Sequence, residues 1–316
     1  MVIKLEEKKY EILTDEENTI EFEGRTLHRI RALRSFEDVE IGDIGGYVEN
    51  EWNLSHDGNC WIYDDAKCVD NAKCTDDSQM YDRSCMRDNS RMYDNSMMYD
   101  NSKMYNNSRM FGNSRMFGNS RMFNDSMMCD NSKMFDNSKM FDNSIMYNKS
   151  QMFGNSRMCD YSTMCNDSMM CDYSIMYNNT MIFDNSVMYN NSKMFGNSKM
   201  YNNSKMYDNS SLHGNAKVSD NVVLKNNNTI YGVINKPFKK IFQYQCENRL
   251  LTAILTEENE ILYSIGCQNG ITKEQFIDRI CNDCEIKGNG LVEYPYRQEY
   301  LDMIDIIENY FKKFKN

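Results

Sequence analysis

The chain has 316 residues, of which 41% are hydrophobic, and a formal net charge of −11 at pH 7. The excess of acidic residues lies in residues 1–60, whereas residues 61–230 contain 19 acidic and 18 basic residues, which resembles neither a basic nucleic-acid-binding surface nor an acidic mimic of DNA. No apolar run reaches the ~20 residues that a membrane-spanning helix needs, so we expect neither a nucleic-acid partner nor a membrane contact.

Residues 1–60 are predicted to form an N-terminal β cap. The stretch "TIEFEGRTLHRIRAL" alternates polar and apolar residues as a β-hairpin does. The opening "MVIKLEEKKYEIL" lacks the apolar segment of a signal peptide. We therefore expect a cytoplasmic protein, in which the 12 cysteines stay reduced.

Residues 61–235 repeat one six-residue word. Counted from its main hydrophobic residue, the word begins at Ile62 and returns to Ile230 in 29 occurrences, and this residue is Met at nearly every step from Met80 to Met206. Serine stands two positions earlier, and residues two apart share one face of a strand. The other face would carry rows of lysine and arginine, whose burial without partners costs several kcal/mol each. Serine and methionine are therefore predicted to lie inside.

The fourth position of the word predicts a corner. It is Asn 20 times and Asp four times in 28 occurrences, and these residues tolerate the left-handed backbone conformation best after glycine. Short strands separated by a sharp corner every six residues predict a triangular β-solenoid with three words per coil. Coils stack at about 4.8 Å, and we expect the stacked serines to hydrogen-bond along the axis.

The words "IYDDAK" (62–67) and "VSDNVV" (218–223) resemble most closely those of the hexapeptide-repeat left-handed β-helix family, and the methionine words are a variant. The resemblance implies a single-stranded left-handed parallel β-helix. The stretch that enters the first coil and the C-terminal segment are similar to those of hexapeptide-repeat proteins of bacteriophages and prophages. This second resemblance implies a phage-encoded protein in the cytoplasm of the host cell.

Residues 236–316 are predicted to form a small α+β domain. "KKIFQYQCEN" and "LLTAILTEENEILYSIGC" indicate strands with a turn at "TEENE". "ITKEQFIDRICNDC" indicates a helix with a capping box of Thr272 and Gln275. The last segment, "QEYLDMIDIIENYFKKFKN", is predicted to be an amphipathic helix with Leu301, Ile304 and Ile307 on its apolar face.

The outward positions supply a candidate binding surface. An aromatic residue follows the inward residue at 19 of 29 words, and these rings either stack as ladders along the edges or mark a partner or self-assembly surface. The predicted surface consists of aromatic and basic residues: Tyr93, Tyr99, Tyr105, Phe111, Phe117, Phe123, Lys103, Arg109, Arg115 and Arg121.

Signs of catalytic chemistry are sparse. The family resemblance implies an acyltransferase that uses acetyl-CoA, a histidine base and a loop at one corner. The chain has three histidines, of which His213 lies within the repeat, and no word between 62 and 230 is interrupted by an insertion. If the protein is an enzyme, His213 is the candidate base. Cys281 and Cys284 form a lone CxxC, a weak candidate for a metal site. No cofactor is expected.

These observations predict a non-catalytic β-solenoid that acts as a structural or binding protein through its surfaces and C-terminal domain. One alternative is a hexapeptide acyltransferase that depends on acetyl-CoA. A second alternative is a phage inhibitor that binds a host protein or signalling molecule. The expected partners are further copies of the chain, in a dimer or trimer, and a host protein.

Overall fold

The computed structural model describes residues 8–219, 221–224, 229–230, 233–234, 238–246, 249–265, 268–282 and 297–315. At the amino end, strand β3 (Arg25–Ala32) pairs with β1 (Tyr10–Ile12), β2 (Thr19–Phe22) and β4 (Ile44–Val48), all antiparallel. The hairpin of β2 and β3 is therefore confirmed. Short 3₁₀ turns at Glu16–Asn18 and Glu51–Asn53 complete this segment.

Strands β5 to β34 have two residues each and form three parallel sheets, the faces of the solenoid. The first face continues the sheet of β4 and contains Lys67–Cys68, Cys85–Met86, Lys103–Met104, Arg121–Met122, Lys139–Met140, Arg157–Met158, Ile175–Met176, Lys193–Met194, Ser211–Leu212 and Thr229–Ile230. The second face contains Lys73–Cys74, Arg91–Met92, Arg109–Met110, Met127–Met128, Ile145–Met146, Thr163–Met164, Met181–Ile182, Lys199–Met200, Lys217–Val218 and Val233–Ile234. The third face contains Trp61–Ile62, Gln79–Met80, Met97–Met98, Arg115–Met116, Lys133–Met134, Gln151–Met152, Met169–Met170, Val187–Met188, Lys205–Met206 and Val223–Leu224.

The interior is filled by the residues that the word predicts. Each inward methionine from Met80 to Met206 is fully buried, as is each serine from Ser78 to Ser210, with Ile182 and Thr180 in the two variant positions. From β5 to β33 the repeat strands pair with the strand 18 residues away, so equivalent side chains stack in register, for example Met110 on Met128. The last strand, β34, pairs with β31 at a spacing of 16 residues. Methionine suits such a stack because its flexible thioether adapts to its copies above and below. The predicted parallel β-solenoid is confirmed.

The corner lies one residue earlier than predicted. Positive φ recurs at the third position of the word, from Asp64 (51°) to Asp208 (51°), and includes Gly112 and Gly118. The third position is Asp, Asn or Gly, which tolerate this conformation. At the fourth position, positive φ is found among the described residues at only some corners, such as Asn185. The prediction was wrong because the third and the fourth positions of the word both carry residues that tolerate positive φ.

The predicted hydrogen bonds between stacked serines are largely wrong. Among the described residues, Ser186 and Ser204 make such a contact, at 3.2 Å between their hydroxyl oxygens. Strands stack about 4.8 Å apart, which is beyond the reach of a direct hydroxyl contact unless the side chains lean together. Ser78 and Ser210 instead donate to the backbone carbonyl three residues earlier, at 2.8 and 2.6 Å.

Residues at the carboxyl end form a four-stranded antiparallel sheet of β35 (Phe238–Cys246), β36 (Arg249–Thr256), β37 (Ile261–Ile265) and β38 (Gln268–Ile271). One side of the sheet packs on helices α1 (Lys273–Asn282) and α2 (Arg297–Lys312), whereas Ile254 and Leu262 belong to the core of the solenoid. The core thus continues from the amino-terminal strands to this sheet, and the boundaries proposed at residues 60 and 235 stay predictions.

Both predicted helices are confirmed. The hydroxyl of Thr272 accepts from the backbone N–H of Gln275, and the Gln275 side chain accepts from the backbone N–H of Thr272, which is the reciprocal pair of a capping box. Ile304 and Ile307 are buried against the sheet. Within the described ranges, no helix has the length and apolarity needed to span a membrane.

Deleting one coil tests the three-word period. Removing residues 134–151 joins Lys133 to Met152 and places Met116 on Met152, partners of the same kind as before. Because each coil contacts only its neighbours, we expect this variant to keep its circular dichroism spectrum and cooperative thermal unfolding. Removing residues 134–142 instead breaks the alternation of inward and outward residues and is expected to lower the melting temperature sharply. Equal melting temperatures for the two variants would contradict the assignment.

Candidate active site

His213 lies at the corner that follows Ser211–Leu212 on the first face. Its ring occupies an aromatic position of the word and stacks on Phe195, with ring centroids 4.9 Å apart. Its Nε2 lies 3.1 Å from the hydroxyl oxygen of Ser211, which lies 3.2 Å from the hydroxyl oxygen of Thr229 one coil further on. The repeat thus fixes the imidazole ring beside the hydroxyl group of Ser211, which contacts the hydroxyl group of Thr229.

The environment of His213 favours the neutral imidazole. Burial lowers the pKa of His213 below its ordinary value of 6.5, because a half-buried cation loses hydration. A neutral ring at neutral pH can accept a proton, which is what a general base requires. The hydroxyl of Ser211 is one group within hydrogen-bonding distance of that ring.

Lysines flank the His213 corner. Lys193 lies in register with Ser211 on the first face, and Lys199 and Lys217 are register partners on the second face, which follows the corner. Lys193 and Lys217 are exposed. Exposed lysines in neighbouring coils can attract the phosphate groups of a nucleotide-bearing ligand.

The other two histidines lie in the N-terminal segment. His56 accepts from the backbone N–H of Lys9 at Nδ1, and its Nε2 lies 3.1 Å from a carboxylate oxygen of Glu51. Nδ1 of His28 lies 2.9 Å from the hydroxyl oxygen of Thr19. Both nitrogens of His56 are thus occupied within the fold, and His28 lies outside the repeat, so His213 is the candidate base within the solenoid.

The candidate binding-surface residues are spread over all three edges and all three faces of the solenoid. The rings form stacked pairs, Tyr93 with Phe111, Tyr99 with Phe117, and Tyr105 with Phe123, at 4.8, 4.9 and 4.8 Å between centroids. Of the cations, Lys103 and Arg121 are register partners on the first face, whereas Arg109 lies on the second face and Arg115 on the third. The structure does not bring these ten residues together, and their binding role stays a prediction.

The predicted cysteine pair is only partly described. Cys281 belongs to helix α1, and Cys284 lies outside the described residues. Among the residues that the structure describes, no three side chains of His, Cys, Asp or Glu converge as metal ligands.

Among the described residues, two open grooves follow corners of the solenoid. The larger, of about 520 Å³, is lined by asparagine and aspartate side chains from Asp88 to Asn143. The smaller, of about 380 Å³, runs from Asp172 to Asn209 and includes Tyr173. Neither contains a histidine, so neither is a better acyl-transfer site than the His213 corner.

Comparison with known proteins adds one match. The chain is 47% identical over 38 residues to the uncharacterized acetyltransferase YdcK of Escherichia coli strain K12. The match covers 12% of this chain and 12% of that protein. The solenoid and this match fit a hexapeptide-repeat family. No protein-family model matches the chain.

The match contradicts the prediction of a non-catalytic structural or binding protein and favours the acyltransferase alternative. The uninterrupted words and the position of His213 in a regular coil were the reasons for predicting a protein without catalytic activity. A histidine in an aromatic ladder is nevertheless half-buried and ordered, as a base needs to be. The match gives no support to an inhibitor of a host protein.

Sequence reasoning missed the hydroxyl groups beside His213. Ser211 and Thr229 replace a basic residue in the outward column and stand 18 residues apart, the spacing that stacks them in neighbouring coils. That spacing was the signal that could have found them.

Proposed function

We propose that the protein is an acyltransferase that uses acetyl-CoA as donor. The observation that carries the proposal is the match to a protein named as an acetyltransferase. It is supported by His213, whose half-buried imidazole has a pKa lowered by burial and lies 3.1 Å from a hydroxyl oxygen. The proposed acceptor is a small hydroxyl or amine compound.

The proposed chemistry assigns one proton transfer to His213. The imidazole accepts the proton of the acceptor as the acceptor's oxygen or nitrogen attacks the thioester carbonyl. When the carbon–sulfur bond breaks, the imidazolium returns the proton to the departing thiolate. Ser211 holds the ring in place through its hydroxyl group, which donates in turn to the hydroxyl oxygen of Thr229.

The donor fits the charges around the His213 corner. Lys193, Lys199 and Lys217 lie on the two faces that meet there and supply positive charge for the phosphates of coenzyme A. The words around this corner have no insertion, so we propose that another copy of the chain, in a dimer or trimer, forms the opposite wall. The proposal assumes a reducing cytoplasm. A phage or prophage origin stays a prediction that rests on the sequence resemblance.

The test measures acetyl-CoA binding by calorimetry and coenzyme A release by chromatography, with a panel of hydroxyl and amine acceptors. Because the neutral form of His213 is active and burial lowers its pKa from 6.5, the midpoint of the acidic limb of the kcat/KM profile is expected below pH 6.5. Absence of both binding and release would overturn the proposal. An acidic limb with its midpoint above pH 6.5 would contradict the assignment of His213 as the base.

A further inference from the structure

Sulfur atoms gather at the amino-terminal end of the solenoid axis. Cys68, Cys74 and Met80 are the inward residues of three consecutive strands, one from each face, and Met86 lies in register over Cys68. All four are fully buried. The sulfur of Cys74 lies 3.4 Å from that of Met80 and 3.6 Å from that of Met86, and the thiols of Cys68 and Cys74 interact.

This set of donors suits one class of ion. Thiolate and thioether sulfur are soft ligands that select Cu(I), whereas carboxylate and carbonyl oxygens select magnesium, calcium and manganese. In the coils from Met92 to Met176, the inward residues are methionine and serine, so the thioethers have no thiol beside them inside. The coil of Cys68, Cys74 and Met80 combines two thiols with thioethers. Burial raises the pKa of Cys68, so its thiolate forms only when a cation takes the place of the proton.

A buried cation lies beside this coil. Lys9 is fully buried, and its ammonium donates to the backbone carbonyls of Cys60 and Gly58 at 2.8 and 3.3 Å. Among the described residues, no carboxylate pairs with it. A buried charge without an opposite charge is costly. The Lys9 ammonium contacts the sulfur of Cys60 at 3.2 Å, and the Cys74 thiol lies within its electrostatic reach. An anionic metal–thiolate group would supply the missing negative charge.

We propose that Cys68 and Cys74, together with Met80 and Met86, bind one Cu(I) ion. Each thiol loses its proton to solvent as a copper–sulfur bond forms, and the oxidation state of copper does not change. One Cu(I) with two thiolates carries a single negative charge, which the Lys9 ammonium balances. The thioethers complete the coordination without adding charge.

The experiment titrates the reduced, full-length protein with Cu(I) without oxygen, in competition with a chromogenic Cu(I) chelator. Cys281→Ser and Cys284→Ser are present throughout, so that the CxxC pair cannot contribute. We expect one equivalent of Cu(I) to be withheld from the chelator and to raise the melting temperature, since an ion that binds the native state stabilises it. X-ray absorption is expected to show sulfur ligands alone.

Substitution of the ligands locates the site. Cys68→Ser with Cys74→Ser is expected to abolish retention, whereas Cys129→Ser with Cys171→Ser, at outward corner positions, is expected to preserve it. No retention by the parent protein, or equal retention by both double variants, would overturn the proposal and leave the thiols as core residues.

Two further variants keep the test decisive if loss of the thiols prevents folding. Met80→Leu with Met86→Leu conserves volume and thus folding, and it is expected to weaken Cu(I) affinity by about tenfold or more. Lys9→Met removes the balancing charge, costs the apoprotein little, and is expected to weaken affinity by about 10–100-fold. Unchanged affinity in both would overturn the assignment.

Discussion

Met128→Asp is expected to unfold the central coils, whereas Met127→Asp leaves the protein folded. Met128 is fully buried between Met110 and Met146. A carboxyl group there must either lose its hydration or stay protonated, and fully buried carboxyl groups shift by up to about 3–5 pKa units, equivalent to about 4–7 kcal/mol. Loss of the methionine side chain adds about 2–5 kcal/mol. The sum is comparable with the ~5–15 kcal/mol by which domains are stable.

Met127 provides the matched control because it precedes Met128 and points outward, half-buried, in register with Arg109. Aspartate at this position gains an opposite charge as its cross-strand neighbour, worth about 0.2–1 kcal/mol. Thermal unfolding followed by circular dichroism measures both variants. Equal stability of the two would show that the inward and outward columns have been assigned wrongly.

His213→Phe is expected to slow acyl transfer strongly without loss of stability. Phenylalanine occupies the same ladder position one coil earlier, at Phe195, so the substitution preserves the stack while it removes the base. Loss of a general base lowers the rate by about 10²–10⁴-fold. We expect kcat to fall by this factor while the affinity for acetyl-CoA stays near that of the parent protein.

His28→Ala is the control for this variant, because His28 lies in the N-terminal segment beside Thr19. Its kcat is expected to equal that of the parent protein. If His213→Phe, with an unchanged melting temperature, keeps kcat within about threefold of the parent, then His213 is not the base. Acetyl-CoA turnover by that variant would indicate that the active site lies elsewhere in the protein, and it would not exclude acyl transfer.

The solenoid was predictable because its pattern leaves one physical solution. Methionine and a basic residue are neighbours in the word and must point to opposite sides of a strand, and burial of a cation column is too costly to compete. The burial of Met80 to Met206 follows directly. The corner was harder, because Asp64 and Asp65 have equal intrinsic tolerance of positive φ, and only Asp64 adopts it. Backbone pairing between coils makes that choice.

The candidate site was less predictable than the fold. One histidine in an aromatic column has the sequence signature of a ladder residue, and His213 is one, since it stacks on Phe195. Its link to Ser211 and Thr229 depends on contacts within a word and between coils. The sulfur cluster had the same difficulty, because Cys68 and Cys74 occupy a column in which small core residues are expected. In both places the six-residue period predicts where a side chain lies but not which reaction or ligand it serves.

The period of three words per coil has a consequence for how such a gene can change. Duplication or loss of a single repeat unit keeps the reading frame and the word, but it turns everything downstream by one face relative to the N-terminal strands. Duplication or loss of three units restores every residue to its original face. The length of the solenoid can therefore change by whole coils. Any other change in repeat number before Ser211 and His213 would move these two residues off the face that β4 begins.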